Sequence, residues 1–176
     1  MKEIMENEIL SKEEIAMSLA ITVSQMSKDP HTKVGSCLLS EDKEIISLGY
    51  NTIPKYWQGE FPWNRNASEV GEENTKYPYV IHSEANALNN YYGPKYKLEN
   101  ATIFVTLFPC QNCAKQIVES GIKRVVYKDD FYKDTIDNLC SKRLLTQCGV
   151  EYISIEELTK TEECELPVKM RLRLNI

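Results

Sequence analysis

Apolar and polar positions follow two different periods along this chain. In "SKEEIAMSLAITVSQMS", residues 11–27, Ile15, Leu19 and Val23 recur every four positions, which predicts an amphipathic helix lying on a sheet. Ser11 and Glu14 stand in capping-box spacing at its start. "KVGSCLLS" and "KEIISLGY" are short β-rich runs joined through the polar "SEDK", the pattern of a hairpin. Then the periodicity stops. Residues 51–79, "NTIPKYWQGEFPWNRNASEVGEENTKYPY", are rich in Pro, Gly, Asn and aromatics, and predict a long loop ordered by its aromatic side chains.

From there helices and strands alternate. "HSEANALNNYY" predicts a helix, "ATIFVTL" a strand, and "CQNCAKQIVES" a helix closed by Gly121. "IKRVVYK" follows as a strand, "TIDNLCSKRLLTQC" as a helix closed by Gly149, and "EYISI" as the last strand. Such alternation joins parallel strands through crossovers, so the fold class is α/β with a mixed sheet. Residues after 155 keep polar helical character up to Cys164, followed by "LPVKMRLRLNI".

The chain has 176 residues, which predicts one domain. A 42% apolar and 27% charged composition excludes wholesale disorder. The formal charge of −5 disfavours grip on a long phosphate backbone and favours a small substrate over nucleic acid. "MKEIMENEIL" lacks the apolar core of a signal peptide, and no segment approaches the roughly 18 apolar residues of a membrane span. These features predict a cytoplasmic protein without membrane association. In that compartment thiols stay reduced, so the six cysteines are judged by spacing. Cys37 and Cys140 read as buried, inert thiols.

Only Cys110 and Cys113 have ligand spacing. "FPCQNCAK" sets them three apart at a helix start, where the partial positive charge of the N-terminus favours thiolates. Taken alone, the pair is compatible with a redox couple or half of a four-cysteine zinc site. A second close pair is missing, because Cys140 and Cys148 are too far apart in sequence, and the redox reading leaves "VIHSEANALNN" unexplained. If His82 is a third ligand, three protein donors leave one tetrahedral position of zinc open, as in a catalytic site. Glu84, two residues on, then has a use as acid/base. Mid-helix, that spacing would turn the two side chains apart by about 200°, but both reach a common pocket from a first turn. A helix starting near His82, after Pro78, meets that condition.

The order His82-Ser83-Glu84, then Pro109-Cys110 and Cys113, follows the His-x-Glu and Pro-Cys-x-x-Cys signature of zinc-dependent nucleobase deaminases. With "SKDPHTKVGSCLL", "LGYNTIP", "FPWNR", "TKYPYVIHSE", "ESGIKRVVY" and "DDFYKD", the chain resembles the cytidine and deoxycytidylate deaminase superfamily, and within it the deoxycytidylate (dCMP) deaminases, from the first helix to about residue 154. The resemblance implies a three-layer α/β/α cytidine deaminase-like fold with a mixed five-stranded sheet. The deaminase-type zinc domain is expected over residues 1–154, with 155–176 as a C-terminal extension of it. Zinc on His82, Cys110 and Cys113 and proton transfer by Glu84 would hydrolyse dCMP to dUMP and ammonia, supplying a thymidylate precursor. Asn51 matches a nucleoside-binding position and Tyr132 a phosphate-contacting one, with Ser27, Lys28 and Arg65 as weaker phosphate or effector candidates. Another cytosine nucleotide (dCTP or CMP) and a transfer-RNA-type nucleic-acid substrate stand as alternatives.

Relatives form homo-hexamers, and many are activated by dCTP and inhibited by dTTP, so the resemblance also implies a hexamer and candidate effectors. Met26 departs from the Arg often found in relatives, removing a potential phosphate-binding fork. Thr52 and Ser83 stand where Gly and Ala are usual.

Overall fold

The computed structural model describes residues 10–161. Helix α1 (Lys12–Ser24) begins at the expected capping box: the Glu14 N–H donates to Ser11 Oγ and the Ser11 N–H to Glu14 Oε2. Strands β1 (Gly35–Leu39) and β2 (Ile45–Tyr50) form the hairpin. Helix α2 (Ala67–Val70) and a 3-10 turn at Glu72–Asn74 are the only helical pieces described in the long aromatic loop. The alternating half supplies α3 (Ser83–Asn89), β3 (Thr102–Leu107), α4 (Gln111–Glu119), β4 (Arg124–Asp129), α5 (Ile136–Gln147), β5 (Glu151–Ser154) and α6 (Ile155–Thr161).

The sheet order is β2-β1-β3-β4-β5, with β1 antiparallel to both neighbours and β3, β4 and β5 parallel. This is the predicted mixed five-stranded sheet. Successive side chains on a strand point to opposite faces, so each central strand feeds two cores. Leu38, Ile103, Val105 and Val125 pack with Ala87, Ala114, Ile117 and Leu145 of α3, α4 and α5. Cys37, Leu39, Phe104 and Val126 pack with Ala16, Met17 and Ala20 of α1 and with Ile155 and Leu158 of α6. The result is three layers, α/β/α. The predicted extension thus starts as a helix packed on the core, while residues 162–176, Cys164 included, lie outside the described residues.

Two glycines set how closely helices approach the sheet. A Cβ at Gly35 would lie 1.9 Å from the Ala20 carbonyl oxygen of α1, and one at Gly49 would lie 2.3 Å from the Ser83 oxygen and the Ala87 nitrogen of α3. At Gly49, therefore, α3 sits directly on β2, which fixes the depth of its first turn. Beside it, Thr52 and Ile81 exchange two backbone hydrogen bonds of 2.9 Å, tying the chain end just before His82 to the end of β2.

Two details differ from the sequence reading, the end of α3 and the exposure of Cys140. The helix predicted from residue 82 to 92 ends at Asn89, because Asn90 caps it, Gly93 and Pro94 follow, and the Tyr91 hydroxyl turns to the Pro94 carbonyl. The long loop is, as predicted, ordered around aromatic contacts, Trp57 with Phe61 at 5.1 Å, Trp57 with Tyr79 at 5.0 Å and Phe61 with Trp63 at 4.5 Å. Cys140, expected to be buried, is exposed on α5, whereas Cys37 is buried and its thiol pushed up to about 12 by that burial.

Candidate active site

Helix starts build this site. Among the described helices, α1, α2 and α5 have side-chain caps from Ser11, Asn66 and Thr135. His82 and Cys110 hold the N-cap positions of α3 and α4, and neither side chain caps its helix. A capping oxygen at such a position contributes about 1 kcal/mol, so these two ends forgo local stability. Their side chains turn toward each other instead. His82 Nδ1 lies 3.4 Å from Cys110 Sγ and 3.5 Å from Cys113 Sγ.

Those separations are a test for metal. Zinc–sulfur bonds of about 2.3 Å and zinc–nitrogen bonds of about 2.0 Å at the tetrahedral angle place S and N about 3.5 Å apart. The three ligand atoms lie within 4.8 Å of one another, with His82 exposed, Cys110 half-buried and Cys113 buried. A soft N,S,S donor set with this spacing fits zinc and leaves the fourth direction open.

The charges of the three groups are interdependent. The Cys110 thiol is held down to about 3, first by the hydrogen bond from Cys113 and then by His82, against the opposing effect of burial. His82 is raised to about 9, first by its hydrogen bond to Cys110. Cys113 is pushed up by that same thiolate and by burial. The cluster therefore retains protons around a thiolate, and a divalent cation takes their place.

Glu84 sits in the first turn of α3 and is only 4% exposed. Burial raises its carboxyl above the usual carboxylate range, so it is able to hold a proton. Ser83 Oγ donates to its Oε2 at 2.9 Å. Helix α5 braces the other side of the site. Ser141 Oγ donates to the Pro109 carbonyl at 2.8 Å, and Gln111 Nε2 to Asp137 Oδ1 at 3.0 Å.

His82, Ser83, Glu84, Pro109, Cys110 and Asp137 line a cavity of about 340 Å³ whose walls also include Asn51, Arg65, Lys76, Tyr77, Tyr132 and Asn138. Arg65 is exposed, and its Nε donates to the Tyr77 hydroxyl at 3.1 Å. Tyr77 and Tyr132 are both about half exposed, at 54% and 45%. Asn51 is buried in the wall. Its Oδ1 accepts from the Val34 N–H at 2.8 Å, and its Nδ2 donates to the Thr32 carbonyl at 2.9 Å and to Asp29 Oδ2 at 3.2 Å. Lys76 completes the group through a buried ion pair with Asp29.

The predicted residues thus separate into two sets. His82, Glu84, Cys110, Asn51, Arg65 and Tyr132 line one cavity, with Cys113 in the ligand cluster at its wall. Ser27 is buried away from it, and its hydroxyl donates to the Asn51 carbonyl at 2.8 Å. Lys28 is exposed and outside the lining. Asp29, Lys76 and Tyr77 were missed. Asp29 and Lys76 are 47 positions apart, and no periodic pattern announces a pairing over that distance.

The sequence profile of the cytidine and deoxycytidylate deaminase zinc-binding region matches residues 10–129. The chain belongs to that family. The zinc-binding deaminase family includes the deoxycytidylate deaminase of Homo sapiens, 36% identical over 140 residues, which span 79% of this chain and 76% of that one. The Mus musculus deoxycytidylate deaminase matches equally well, 36% over 140 residues, with the same coverage of 79% and 76%. Among solved structures, a dCMP deaminase from the cyanophage S-TIM5, in complex with dCMP and dUMP, superposes with a TM-score of 0.66 at 27% identity, covering 86% of this chain and 99% of that one. In this deaminase-family chain, His82, Cys110 and Cys113 are the residues placed to hold the metal.

Proposed function

We propose that this protein hydrolyses dCMP to dUMP and ammonia, and that His82, Cys110 and Cys113 hold the zinc that this reaction uses. The observation that carries the reading is the buried Glu84 carboxyl in the wall of the same cavity as the N,S,S cluster. The matched human and mouse deoxycytidylate deaminases and the dCMP-bound phage structure support the substrate. When bound, zinc supplies an activated water at neutral pH. Glu84 moves protons: its buried carboxyl takes one from the attacking water and delivers it to N3 of the cytosine, then passes the water's second proton to the amine that leaves C4 as ammonia.

Asn51 orients the sugar. Both Nδ2 hydrogens are committed within the protein, so only the second lone pair of Oδ1 is free, and it accepts from a hydroxyl donor. Ser27 acts through the Asn51 backbone rather than on the nucleotide. Arg65, beside Tyr77 and Tyr132, supplies a fork of donors and two hydroxyls for the 5′-phosphate. The reading extends to the whole chain as one deaminase domain, 1–154, with 155–176 as its extension, supported by burial of Ile155 and Leu158 in the core.

The protein is cytoplasmic in this reading, where thiolate ligands stay reduced; among the described residues no helix is long and apolar enough to cross a membrane. It assembles as a homo-hexamer, with Ile136 and Leu139, exposed three positions apart on α5, as apolar surface for a neighbour. dCTP and dTTP are its candidate effectors. Turnover of deoxycytidine, dCMP, CMP and dCTP, each with and without dCTP and dTTP as effector, tests the function. The expected ranking puts dCMP first, and equal turnover of deoxycytidine would remove the phosphate site from the account.

A further inference from the structure

Strand β1 contributes a polar side chain to a face that is otherwise apolar. Leu38 points into the core shared with α3, α4 and α5, and the period of two puts Ser36 on the same face. Ser36 is fully buried, as is Ser83 in the first turn of α3. Their hydroxyl oxygens are 2.6 Å apart, and Ser83 Oγ lies 2.9 Å from Glu84 Oε2.

The proton inventory gives this chain a direction. A serine hydroxyl has one hydrogen to donate. The Ser83 hydrogen is directed to Glu84 Oε2, so the short contact to Ser36 is made by the Ser36 hydrogen, donated to Ser83 Oγ. The order is Ser36 to Ser83 to Glu84, and hydrogen bonds in such a series polarise one another out of reach of water. The consequence falls on the two carboxyl oxygens of Glu84. The bond from Ser83 to Oε2 ties one of them to the first turn of α3 and so fixes the plane of the carboxyl.

We propose that Ser83, backed by Ser36, is a positioning residue that holds Glu84 Oε2 as an acceptor and so fixes the plane of the carboxyl that passes protons to the cytosine ring. The backbone supports the arrangement, because the close approach of α3 at Gly49 holds the first turn against the sheet. The Ser83 hydroxyl is committed to Ser36 and Glu84. Its effect is on the orientation of the Glu84 carboxyl plane, and therefore on the rate of proton transfer rather than on binding.

This inference rests on Glu84 being the proton carrier, and the experiment separates the two. Steady-state dCMP deamination is measured for the zinc-loaded wild type, Ser36→Ala, Ser83→Ala and the double variant, each with its zinc content and thermal midpoint. Expected for Ser83→Ala is a kcat lower by about tenfold to a hundredfold, as for other residues that orient a reacting group, with KM within about twofold and zinc retained. Ser36→Ala loses less, and the double variant is no slower than Ser83→Ala, because Ser36 acts only through Ser83. A purely structural pair would lower the thermal midpoint and leave kcat alone. That result overturns the inference, as do additive losses in the double variant or a loss of zinc that matches the loss of rate. An inactive wild type would remove the function and this inference together. An active wild type with an equally active Ser83→Ala removes this inference alone.

Discussion

Lys76 and Asp29 form a buried ion pair beside Asn51 in the wall of the cavity. The lysine side chain is 7% exposed and the aspartate 1%, so each charge depends on the other for its compensation. The pair joins the loop after α1 to the loop before α3, two segments that line the cavity. Asp29 also accepts from the backbone N–H groups of His31 and Thr32, which leaves it well supplied with donors.

Removing one partner strands the other. Lys76→Met is expected to destabilise the fold by about 3 kcal/mol, the usual cost of an uncompensated buried charge, and Asp29→Asn combined with Lys76→Met by less than that single change. Urea unfolding of both variants measures the difference. A double variant no more stable than Lys76→Met would show that charge compensation is not what the pair provides.

The same pair shapes the acid limb of stability. Burial pushes the Asp29 carboxyl up, but the hydrogen bonds from Lys76, His31 and Thr32 outweigh it and hold the group below its ordinary value of 3.8. A depressed folded pKa contributes stability at neutral pH that is lost as pH falls through that lowered value. The gap in unfolding free energy between wild type and Asp29→Asn should therefore stay constant above about pH 5 and narrow below about pH 4. A gap independent of pH from neutral to acid would contradict this.

Under the proposed function, Arg65 and Tyr132 on the exposed side of the cavity meet the 5′-phosphate. Arg65→Gln and Tyr132→Phe are expected to raise KM for dCMP by about tenfold, the worth of one charge-assisted hydrogen bond, with kcat changed little. Neither should alter whatever turnover deoxycytidine shows, since it has no phosphate. Parallel losses on both substrates would place these residues in general support of the site.

The layers of the fold were legible because each element carries its own local signal. Ser11 with Glu14 announced α1, and Gly121 and Gly149, both at positive φ, closed α4 and α5. The metal cluster was legible from spacing: Cys110 and Cys113 stand three apart at a helix start, and His82 and Glu84 precede them in the His-x-Glu order. What the sequence hid is long-range and polar. Ser36 reads as an ordinary strand residue, and only the sheet register and the approach of α3 at Gly49 bring it to Ser83. Likewise Asn51 had a plausible contact with substrate, but the number of its hydrogens already in use depends on where Thr32 and Asp29 fold.

The most direct measurement of the central claim is ammonia release from dCMP by the zinc-loaded wild type beside Glu84→Gln, with zinc content determined on the same samples. The wild type should convert dCMP to dUMP, and Glu84→Gln should keep its zinc while losing about 10² to 10⁴ in kcat, because it retains the ligands and lacks the proton carrier. A Glu84→Gln enzyme that deaminates dCMP at the wild-type rate would contradict the account.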